Sequence, residues 1–193
     1  MAEHFISFAK KYLSHLNAVL NEIDQQDVAH FVDILLDARE TGSSIFFVGN
    51  GGSAATSAHF ANDLAIGTRQ TEKPFRVFSL ADNSATTTAI GNDFGYEEIF
   101  ARQIEVYGRS GDVLVAISAS GNSPNLMRAF EVAKKNNITT VSITAFDGGK
   151  LKRLADHAVH VPTSMGEYGP AEDAHMILDH LITNYLQASI SSI

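Results

Sequence analysis

From residue 45 onward the sequence alternates short, unbroken apolar runs with helix-patterned stretches. The runs are IFFVG (45–49), FRVFSL (75–80), DVLVAIS (112–118), TTVSIT (139–144) and HAVHV (157–161). Between and after them, helical spacing falls near 54–66, 84–91, 97–107, 124–137 and 170–188. Strands that are apolar on both faces, joined through helices, are the mark of a parallel sheet covered on both sides. Right-handed crossovers then lead to a doubly wound, mainly parallel five-stranded α/β sheet. In such a sheet the ligand sits beyond the carboxyl ends of the strands. The strand-to-helix junctions are therefore the places to look for chemistry.

Residues before this region read as helix. Ile6, Ala9, Leu13, Leu16, Leu20 and Ile23 recur in steps of three and four, a heptad-type stripe. Such a stripe packs on its own domain or forms a seam with another subunit, and spacing leaves both open. The stripe breaks at Asp24–Asp27, and a second amphipathic helix follows with Phe31, Ile34, Leu35 and Ala38. No repeat or linker interrupts the chain, so residues 1–193 read as one domain. Residues 1–40 form its helical N-terminal extension and residues 41–193 its α/β core.

Composition narrows the function. The 193 residues contain no cysteine, which excludes a thiolate metal site and a cysteine nucleophile. The net charge of −8 argues against a protein built to grip nucleic acid. That charge is concentrated at the ends: residues 1–40 carry seven acids against three bases, and residues 154–193 five acids and no Lys or Arg. The middle is nearly neutral. No apolar run reaches the roughly 20 residues of a membrane span, and MAEHFISFAKKYL lacks the pattern of a secretory leader. A cytoplasmic protein without membrane or nucleic-acid partners is the expectation.

Two junctions are rich in small polar residues. Asn50-Gly51-Gly52-Ser53 follows the first run, and Ser118-Ala119-Ser120-Gly121-Asn122-Ser123 follows the third. Glycines allow close backbone approach, and the first turn of a helix presents free N–H groups at the positive end of its dipole. Ser118, Ser120 and Ser123 add hydroxyl donors. The alternative is that these serines merely cap helices. Neither junction is a Walker A loop or a dinucleotide fingerprint, so a simple phosphate ester fits better than a nucleotide cofactor.

Three further groups offer chemistry. His59 and Asp63 lie four apart on one predicted helix face, suited to metal binding or proton transfer, or simply to a solvated surface. Glu172, His175 and His180 lie on the last predicted helix. His175 and His180 cannot share a face, and Glu172 and His180 are about 12 Å apart along a straight helix. Asn92 and Asp93 sit in a glycine-flanked segment that reads as a turn and could meet sugar hydroxyls.

Together, FVGNGGSAATSAHFANDL, AIGNDFGYEEIFARQ, AISASGNSPN and ITAFDGGKLKRLADHAVHVP resemble the sugar isomerase (SIS) domain family. Within it they are most similar to the bacterial phosphoheptose isomerases, over roughly residues 2–188. The resemblance implies the SIS fold and an aldose–ketose isomerisation of a heptose phosphate through an enediol. Such an enzyme converts sedoheptulose 7-phosphate to glycero-manno-heptose 7-phosphate for surface carbohydrate such as lipopolysaccharide or capsule. It also implies a homotetramer with active sites at subunit interfaces. By the same resemblance Asp63 is the carbon base and His180 the oxygen-side acid and base. Substrate contacts fall on Asn50, Gly51, Gly52, Ser53, Asn92, Asp93, Ser118, Ala119, Ser120, Ser123 and Glu172. One zinc per subunit falls on His59, Asp63, Glu172 and His180.

Three positions depart from the family's pattern. Asp63 stands where glutamate is usual, Ala119 where threonine is usual and Glu172 where glutamine is usual. These departures keep a second class of function in view, a non-catalytic SIS protein that binds a phosphosugar or acts as an adaptor.

Overall fold

The computed structural model describes residues 2–70 and 72–190. All five apolar runs form strands: β1 (Ser44–Gly49), β2 (Arg76–Ser79), β3 (Val113–Ser118), β4 (Thr139–Thr144) and β5 (His157–His160). They make one sheet in the order β2-β1-β3-β4-β5, every neighbouring pair parallel. The order reverses direction between β1 and β3, which makes the gap beyond their carboxyl ends the switch point where such sheets bind ligands. Gly49 at the end of β1 pairs in register with Ile117, one residue before the end of β3.

Helices cover both faces. On one side lie α1 (Ala2–Glu22), α2 (Gln25–Thr41), α3 (Gly52–Asn62) and α8 (Tyr168–Ile190). On the other lie α5 (Ala101–Tyr107), α6 (Pro124–Lys135) and α7 (Gly149–Leu154). The strand alternation decides the partition. Ile45 and Phe47 point into the first layer with Phe31, Leu35, Phe60 and Leu178, whereas Phe46 and Val48 point into the second with Ile104, Leu126 and Phe130. The Phe47 and Phe60 rings lie 4.7 Å apart between centroids, and Phe60 meets Phe31 edge-on. Each such fully buried side chain contributes roughly 1.5–3 kcal/mol.

Asp24 ends the first helix and caps the second, its carboxylate accepting from the Gln26 N–H at 2.8 Å. The α1 stripe divides its allegiance. Leu16, Leu20 and Ile23 pack on the core, whereas Ile6 and Leu13 remain exposed together with Phe5 and Phe8.

Three local features differ from the sequence pattern. The helix α4 (Ser84–Phe94) runs through Asn92 and Asp93 instead of ending in a turn before them; Gly95, at φ 99°, stops it. After Asn62 the backbone widens into a π-helical turn over Asp63–Gly67 where a plain α-helix was expected. The short α7 supplies the crossover that two parallel strands, β4 and β5, require. Among the described residues no helix is long and apolar enough to cross a membrane.

Candidate functional site

The two small-residue junctions meet at the switch point. β1 runs out at Gly49, and Asn50-Gly51 turn the chain into α3 with no side chain capping its first turn. β3 runs out at Ser118, whose buried hydroxyl accepts from the Gly121 N–H at 3.1 Å. Ser123 occupies the N-cap position of α6 but makes no side-chain capping bond, and Pro124 opens the helix. The capping role open to Ser123 from sequence is thus not the one it takes.

The serine loop is held by close backbone packing and by its own side chains. A Cβ on Gly121, at φ 61°, would strike the Gly148 backbone, and one on Gly149 would strike that of Ser120 and Gly121. Buried Ala119 has its carbonyl bonded to the Ala145 N–H at 3.1 Å. Ser120 receives Asn122 on its carbonyl at 2.9 Å.

Asn50 and Asn125 lock the two loops together. Asn125 is 1% exposed, and the two amides exchange hydrogen bonds in both directions. The Tyr96 hydroxyl also donates to Asn50 Oδ1, at 2.9 Å. Asn125 and Tyr96 escaped sequence reasoning. The SGNSPN run and the GNDFGY segment held the signal, a side-chain amide and a phenol next to small-residue turns.

Beyond the loops, α3 and α8 run side by side in the same direction. At one level the Glu172 carboxylate lies over Gly52, so close that a Cβ there would fall on it. Two turns on, His59 Nε2 lies 3.1 Å from His180 Nε2 and 3.4 Å from Asp63 Oδ2. Asn62 donates to the other Asp63 oxygen, Oδ1, at 3.1 Å. The floor of this group is Asp179, fully buried, with Oδ2 4.0 Å from His59 Nε2 and neither oxygen hydrogen bonded. Burial, reinforced by the neighbouring Asp63 charge, pushes the Asp179 carboxyl up to about 7.

The structure therefore joins His59, Asp63 and His180 as the sequence suggested, but adds Asp179 in place of Glu172. One donor atom from each of these four lies within 4.8 Å of the others. Glu172 stays at the loop end because eight residues of straight helix separate it from His180. His175, on the core side of α8, is 1% exposed, and burial pulls its imidazole down to about 4. Asn92 and Asp93 are exposed on α4 and bond to each other at 2.8 Å; no hydrogen bond joins them to the loops. Asp179 could have been found as the one acid on the buried stripe Ala171, Ala174, His175, Leu178, Ile182.

Comparison with known proteins bears on this arrangement. The profile of the SIS domain matches residues 8–145. The phosphoheptose isomerase of Helicobacter pylori is 36% identical over 180 residues, 92% of this chain and 93% of that protein. That of Clostridium acetobutylicum is 35% identical over 165 residues, 86% of this chain and 83% of its own. Among solved structures, phosphoheptose isomerase GmhA from Neisseria gonorrhoeae superimposes with a TM-score of 0.85 at 27% identity, covering 97% of this chain and 98% of that one.

Proposed function

The chain belongs to the SIS-domain family, and on that footing we propose that it is a phosphosugar aldose–ketose isomerase. Its substrate on this reading is sedoheptulose 7-phosphate, its product glycero-manno-heptose 7-phosphate, and its place the synthesis of surface-carbohydrate heptose. The observation that carries the reading is the meeting of an imidazole and a carboxylate on α3 with an imidazole on α8, in a chain that also carries two small-residue loops suited to phosphate at the other end of α3.

The loops at Asn50–Ser53 and Ser118–Ser123 hold the phosphate with backbone N–H groups and serine hydroxyls. Asp63 takes the proton from C1 of the ketose as a base and returns it to C2 of the enediol. His180 moves a proton between the two oxygens, so the reaction is neutral overall. Asp63 has one oxygen tied to Asn62 and the other facing His59, which fixes the direction of the basic lone pair. Glu172 at Gly52, with Asn92 and Asp93 on α4, completes the substrate contacts.

His59, Asp63, Asp179 and His180 also fit one divalent zinc ion per subunit. Two imidazole nitrogens and two carboxylates are a donor set zinc accepts, and buried Asp179, with neither oxygen hydrogen bonded, is a carboxyl group whose charged form a cation would stabilise. Bound there, zinc supplies Lewis-acid polarisation of the sugar oxygens.

On this reading the protein is a cytoplasmic homotetramer, and active sites at its subunit interfaces accord with two features. His59 and Asp63 lie about 10 and 16 Å beyond Gly52 along α3, so a sugar phosphate reaching the carboxylate is better placed by loops of a neighbouring copy. Apolar side chains remain uncovered on α1 (Phe5, Phe8, Leu13) and next to His180 on α8 (Leu181, Tyr185). The test is turnover of a panel of ketose phosphates by the parent and by Asp63→Asn. The variant should bind substrate as the parent does and form no aldose; full turnover by the variant would overturn the assignment.

A further inference from the structure

We propose that Asp179, not Glu172, is the second carboxylate ligand of a divalent cation held within one chain by His59, Asp63 and His180. Four donors at zinc bond lengths of about 2.0–2.2 Å stand about 3.3–3.6 Å apart at the corners of a tetrahedron. Around His59 Nε2 the observed separations are 3.1 Å to His180, 3.4 Å to Asp63 and 4.0 Å to Asp179. Around His59 the donors are thus nearly assembled, Asp179 standing a few tenths of an ångström too far, and all four donor atoms lie within 4.8 Å of one another.

Two features of the site suit a bound cation. Asp179 is fully buried with no hydrogen bond to either oxygen, whereas buried carboxylates are ordinarily paired or hydrogen bonded. Two imidazole nitrogens face each other at 3.1 Å, an arrangement that needs a proton or a cation between the lone pairs. A cation resolves both at once. Glu172 cannot reach the same point from its own chain, since it lies over Gly52 at the far end of the paired helices.

The ligand set sharpens the chemistry of the site. Two carboxylates and two neutral imidazoles leave a bound divalent ion with no net charge. A set with one carboxylate and one amide leaves it positive. The proposal concerns metal binding alone, so it stands or falls separately from the isomerase reading.

The test uses the full chain stripped of metal, zinc affinity measured by competition with a chromophoric chelator, and thermal unfolding with and without zinc. Asp179→Asn should lose at least about tenfold in affinity, and Glu172→Gln should match the parent. Without metal, Asp179→Asn should unfold at or above the parent's temperature, because it removes a buried unpaired charge; with zinc the order should invert. Parent-like affinity in Asp179→Asn, a tenfold loss in Glu172→Gln, or failure of metal-free Asp179→Asn to fold would each overturn the assignment.

Discussion

Asn50 and Asn125 exchange a reciprocal pair of amide hydrogen bonds, 3.0 and 2.8 Å long, across the gap between the two strand-to-helix loops. The pair ties the turn after β1 to the first turn of α6, so the two small-residue loops cannot drift independently. Asn125→Ala leaves the Asn50 Nδ2 donor without its acceptor while Tyr96 still bonds to Oδ1, at a cost of about 1–3 kcal/mol. Urea unfolding should show that loss, and calorimetric titration should show weaker binding of a sugar phosphate. Unchanged stability would mean that the pair is incidental.

Ser123 separates a structural role from a binding one. A capping serine replaced by alanine costs typically about 1 kcal/mol of stability, but Ser123 makes no capping bond. Ser123→Ala should therefore unfold within about 0.5 kcal/mol of the parent, the range of inert substitutions. Its affinity for phosphosugar should fall by about tenfold or more, the loss of one hydrogen bond to a charged group. The reverse result, lost stability with intact affinity, would return the residue to a capping role.

His175 makes stability depend on pH. Burial holds its folded imidazole near 4, below the ordinary 6.5, so between those values the native state binds fewer protons than the unfolded one. Its contribution is complete above pH 6.5 and is lost as pH falls towards 4, by up to about 3 kcal/mol. Asp179, raised by burial, slopes the other way across much of that range. The comparison of parent with His175→Gln therefore isolates the effect. The urea midpoint of the parent should drop more between pH 7.5 and 4.5 than that of the variant; equal drops would refute it.

The strands were legible because a parallel sheet buried on both faces writes itself as continuous apolar runs, and IFFVG and VLVAIS are such runs. The loops were legible because only glycine, serine and asparagine suit the turns between them. His59 and Asp63 were legible as partners because four residues is one helical turn. What could not be read locally was which residue of α8 faces them. Helix arithmetic separated Glu172 from His180, yet nothing in the sequence said that α8 lies alongside α3 with Asp179 turned inward. The length of α4 was also hidden, because a helix ending at a glycine looks the same as one ending a turn earlier. The π-turn at Asp63 has no sequence signature that the pattern DLAIG displays.

The most direct test of the isomerase account is exchange of substrate hydrogen with solvent. Incubated in deuterated water with sedoheptulose 7-phosphate, the parent should wash deuterium into C1 or C2, read by mass spectrometry as a gain of one mass unit. Asp63→Asn should show the exchange reduced by about 100- to 10,000-fold, the usual contribution of a positioned base. Sugar phosphate bound by the parent with no deuterium gained would contradict the account and leave a binding protein instead.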